Sequence, residues 1–103
     1  MERLESLNKM LESNPDDLFL HYALAMEYLS AEEDILAAEK LEWIKSNAPE
    51  YLALYYQLAK LYEKMNEQEK AITIYELGIE VAKQQKETKT MNELRSALEE
   101  LIF

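Results

Sequence analysis

Apolar residues recur along this chain at helical three-and-four spacing, in six segments divided by short polar breaks. In residues 2–13, Leu4, Leu7, Met10 and Leu11 fall on one helical face. Asn14-Pro15 ends that segment, because the residue before a proline is driven out of the helical region. A second helix is predicted after Asp16-Asp17, whose carboxylates suit a helix N-terminus, and runs to about Leu29. The third starts near Glu32-Glu33-Asp34 and reaches about Ser46, where Asn47-Ala48-Pro49 stops it. The fourth covers residues 50–64. Asn66 and Glu69 are spaced as a capping box for a fifth helix that ends near Gln85. Thr90 and Glu93 repeat that spacing at the start of a sixth, which ends near Ile102.

The degree of amphipathicity alternates. Residues 18–29 are apolar except for His21 and Glu27, and residues 52–62 except for Gln57 and Lys60. Helices apolar on more than one face need cover on more than one side. The third helix instead shows a single stripe, Leu36, Ala37, Leu41 and Ile44, among Glu39, Lys40 and Glu42. Short connections force neighbouring helices to run antiparallel. The expected class is therefore all-α, a chain of antiparallel helical hairpins in layers.

A shift of 34 residues superposes Pro15 on Pro49, Leu24-Ala25 on Leu58-Ala59, Tyr28 on Tyr62, Ala37 on Ala71 and Leu41 on Tyr75. The first copy carries His21, Leu24, Ala25 and Tyr28, then Ala37, Leu41 and Pro49. The second carries Tyr55, Leu58, Ala59 and Tyr62, then Ala71, Tyr75 and Gly78. This resembles the tetratricopeptide repeat, with its 34-residue period and pattern W-x2-L-G-x2-Y…A-x3-F…P. The small residues suit the close crossing of two helices within a hairpin, and the large ones fill the space between hairpins. His21 and Tyr55 replace the pattern's Trp, and alanine replaces its Gly. Ile44 is large where Gly78 is small. Lys83 stands where a closing proline would be, so the fifth helix is expected to run on.

The resemblance implies a short right-handed solenoid occupying residues 1–103 as one domain. Residues 1–14 form an N-terminal helix, 15–48 the first repeat, 49–82 the second, and 83–103 a helix end and a capping helix. Met91, Leu94, Leu98, Leu101 and Ile102 lie on one face of that last helix, as a cap requires.

Composition narrows the function. One Gly, two Pro and no Cys leave neither the turns of a β fold nor a disulfide framework. The formal net charge of −10, with no basic patch, argues against nucleic-acid binding and anionic membrane surfaces. No unbroken apolar stretch is long enough to span a bilayer, and the N-terminal residues do not read as a signal peptide. A cytoplasmic protein is expected. His21 is the sole histidine and has no ligand set around it, so it reads as a packed residue, with no metal and no cofactor. No catalytic constellation is visible, and no enzyme activity is expected.

In the tetratricopeptide family the first helices of the hairpins line a groove that receives a peptide or helix. The resemblance puts Phe19, Tyr22 and Met26 in that groove from the first repeat, and Tyr56, Gln57, Lys60 and Lys64 from the second. The first three are otherwise a seat for the chain's own N-terminal helix, and the lysines partners for Glu63 and Glu67. An apolar and aromatic groove of this kind suits an amphipathic helix or apolar peptide, with an acid near the lysines. The expected partner is a protein or peptide. The alternative is a homodimer using the apolar end Leu101-Ile102-Phe103.

Overall fold

The six stretches of helical spacing become six α-helices in the computed structural model, which describes residues 2–103. They are α1 (Glu2–Ser13), α2 (Leu18–Ser30), α3 (Asp34–Asn47), α4 (Ala53–Lys64), α5 (Gln68–Gln84) and α6 (Thr88–Ile102), and no strand occurs among the described residues. Met1, assigned above to the N-terminal helix, lies outside them. The chain divides into two compact units, Met1–Ala48 and Pro49–Phe103.

In the first unit α2 packs against both α1 and α3. Asp17 caps α2 in extended backbone, its carboxylate accepting the Leu20 N–H at 3.2 Å. Leu7, Leu20 and Leu24 are buried together, with Leu4, Leu11, Ala23 and Tyr28 against them. Burying one such leucine contributes about 1.5–3 kcal/mol, enough to hold a short helix that would not persist alone. Polar contacts set the position of α1: the Arg3 guanidinium donates to Glu27 at 2.6 Å, and the Asn8 amide to the Tyr28 hydroxyl at 3.3 Å. On α3, Ala37, Ala38, Leu41 and Ile44 are buried, whereas Leu36, assigned above to the stripe, is exposed.

In the second unit α5 packs against both α4 and α6. It approaches both neighbours closely at Gly78. A Cβ there would lie 2.6 Å from Tyr55 Cβ and 3.1 Å from Leu94 Cδ1. The glycine thus lets α4 and α6 approach α5 at one level. The first repeat carries Ile44 at this position, fully buried, and His21 in place of Tyr55. The missing closing proline has the expected effect, since α5 runs for 17 residues where α3 has 14. On α6, Leu94 and Ala97 are buried, Met91, Leu98 and Leu101 are half-buried, and Ile102 remains exposed.

One hydrogen bond recurs in both repeats. The Tyr55 hydroxyl donates to the Pro49 carbonyl at 2.5 Å, and His21 Nε2 lies 2.7 Å from the Pro15 carbonyl. A carbonyl only accepts, so Nε2 carries the proton. His21 also stacks on Trp43, with ring centres 3.6 Å apart and planes 10° from parallel. Its Nδ1 is buried without a hydrogen-bond partner.

Two of the expected helix starts are corrected. Asn66 is not an N-cap: at φ 61° it closes α4, and α5 begins at Gln68. Thr90 is not one either, because α6 begins two residues earlier at Thr88. The reason is a shared end motif. At Glu32, Asn66 and Lys86 the chain takes left-handed backbone. The following N–H then reaches back to the carbonyl of Tyr28 (2.9 Å), Tyr62 (2.8 Å) or Ala82 (2.9 Å), as in a Schellman turn. The next helix follows directly, with Glu33, Glu67 or Glu87 at its cap position and no side-chain cap bond. At the start of α4, Pro49–Leu52 is turn rather than helix, so α4 begins at Ala53 rather than at residue 50.

Two stability changes follow. Gly78→Ala lowers unfolding free energy by about 1–3 kcal/mol, although alanine is the better helix former, because overpacking outweighs propensity. Glu32→Gly and Lys86→Gly each raise it by about 1 kcal/mol by relieving left-handed strain, and Asn66→Gly by less. Denaturant titration of each variant checks both.

Candidate functional site

On the first unit the residues expected to line a groove lie on α2. Phe19 is 73% exposed, and Tyr22 and Met26 are half-buried. α1 rests on Leu20, Leu24, Ala23 and Tyr28 and leaves Phe19 uncovered. Phe19 borders a shallow depression of about 490 Å³ shared with Arg3, Ser6, Leu7 and Met10, and Met10 is itself 54% exposed.

On the second unit, α4 presents Tyr56, 41% exposed, with Gln57 and Lys60 half-buried and Lys64 exposed. A groove of about 770 Å³ opens between α4 and α6. Tyr56 and Lys60 line one wall, and Lys89, Asn92, Glu93, Ser96, Ala97 and Glu100 the other. Gln57 and Lys64 do not line it. The α6 residues were missed from sequence because α6 was read only as a cap. The signal was present: Met91, Leu94 and Leu98 repeat the spacing of Tyr55, Leu58 and Tyr62. The shift there is 36 residues rather than 34, and Arg95 replaces the small residue at the helix crossing, which hides the match.

The walls of this groove carry polar side chains beside one aromatic ring. Its geometry follows from helix periodicity. Leu94 turns into the core, Ala97 lies where the core meets the groove, and the exposed Asn92, Glu93, Ser96 and Glu100 fall outside the core face of α6.

A chain of polar contacts ties this face to the core. Lys60 Nζ sits 5.7 Å from the centre of the Tyr56 ring and 3.7 Å from Glu63 Oε2. The same carboxylate oxygen accepts the hydroxyl of buried Tyr75. Burial pushes the Tyr75 phenol far above its ordinary range, and the hydrogen bond to Glu63 and the charge of that carboxylate add to the shift. Burial also raises Tyr55, with the Glu50 charge a lesser cause. The first repeat has no such chain, because Leu41 and Leu29 occupy the positions of Tyr75 and Glu63.

Neither a family model nor a curated protein matches the chain. Solved structures do. A tetratricopeptide repeat domain protein from Salinibacter ruber, solved in solution, is 36% identical, with 85% of this chain and 89% of that one covered and a TM-score of 0.81. Its fold is shared by a Bordetella parapertussis protein, 23% identical, with a TM-score of 0.82 over 95% of this chain and 85% of that one. MamA protein, also 23% identical, superposes at a TM-score of 0.75 over 98% of this chain and 57% of its own.

The raised phenols have a consequence for stability against pH. Tyrosine in the unfolded chain ionises near pH 10, whereas Tyr55 and Tyr75 in the folded chain ionise only above that. Above pH 10 the unfolded state therefore binds fewer protons, and stability falls as pH rises. Denaturant midpoints between pH 9 and 11 should fall for the wild type and fall less for Tyr75→Phe.

Proposed function

Because the chain belongs to the tetratricopeptide repeat family, we propose that it is a protein-interaction module that holds a peptide or helix on its first-position helices. The observation that carries this reading is the open groove between α4 and α6, with the exposed Tyr56 ring on its wall. An aromatic ring held at a groove by fixed backbone offers a large contact area at little entropic cost, which is why tyrosine is enriched among binding hot spots. The neighbouring Lys60, Asn92 and Ser96 supply donors and acceptors at the same place, as recognition of a polar backbone requires.

Phe19 and Met26 add a second apolar surface on α2, in the other unit. Phe19 contributes little to the core, so its exposed ring is available to a partner. Tyr22 lies between them in sequence on the same helix. Gln57 and Lys64 are candidates for the edge of the contact on α4, not for its centre.

The test is capture of partners from cell extract with the chain as bait, followed by affinity measurement on the recovered partner. Tyr56→Ala is expected to weaken that binding about thirtyfold, the loss of a typical hot spot. The fold should stay intact by circular dichroism, because the ring is partly outside the core. Ile35→Ala, at a residue 70% exposed on α3, serves as the control. Unchanged binding by both Tyr56→Ala and Phe19→Ala would overturn the proposal.

A further inference from the structure

We draw no further inference here: the strongest candidate, the apolar depression between α1 and α2 where Phe19 and Met10 stand exposed beside Leu7 and Leu20, carries nothing because nothing in the structure shows what covers it.

Discussion

The second unit is organised by a missing methyl group. Through Gly78, α5 can lie against Tyr55 of α4 and Leu94 of α6 at one level, where any Cβ would stand 2.6 Å from another. Close approach of two backbones lets the large side chains interdigitate, and dispersion contacts in such a core are lost quickly as the gap widens. The groove depends on that approach. The walls α4 and α6 do not need to touch one another, because both are set by their packing on α5.

The first unit meets the same requirement with different residues. Where the second has a large ring and a glycine, it has a smaller ring and a large aliphatic side chain, His21 and Ile44. Both rings reach back to a proline carbonyl six residues earlier, so the turn before each first helix is tied down in one way by a phenol and in the other by an imidazole. The exchange keeps the hydrogen bond and redistributes volume across two positions, the kind of change that packed cores tolerate.

The polar chain through Tyr75, Glu63 and Lys60 has a different meaning. It reaches from a fully buried phenol to a groove side chain, and it sets the Glu63 carboxylate 3.7 Å from Lys60. The other wall of the groove is α6, whose Leu94 is buried in the core and whose Lys89, Asn92, Glu93, Ser96 and Glu100 are exposed.

Six helices, the 34-residue repeat and the class of the fold were legible in the sequence, because helical periodicity and small residues at fixed offsets are local facts. The resemblance to the repeat family also put Phe19, Tyr56 and Lys60 among the expected groove residues. Helix boundaries at Asn66 and Thr90 were misread from the sequence, because a left-handed closing residue and an N-cap draw on the same polar residue types, and only the hydrogen bonds distinguish them. Tertiary structure alone decided which side chains share a groove. It added Lys89, Asn92, Glu93, Ser96 and Glu100 from α6, and it left Gln57 and Lys64 off the wall. Those outcomes depend on how far apart two helices are held by a third, a distance that is set by packing at Gly78 and has no counterpart in the spacing of residues along the chain.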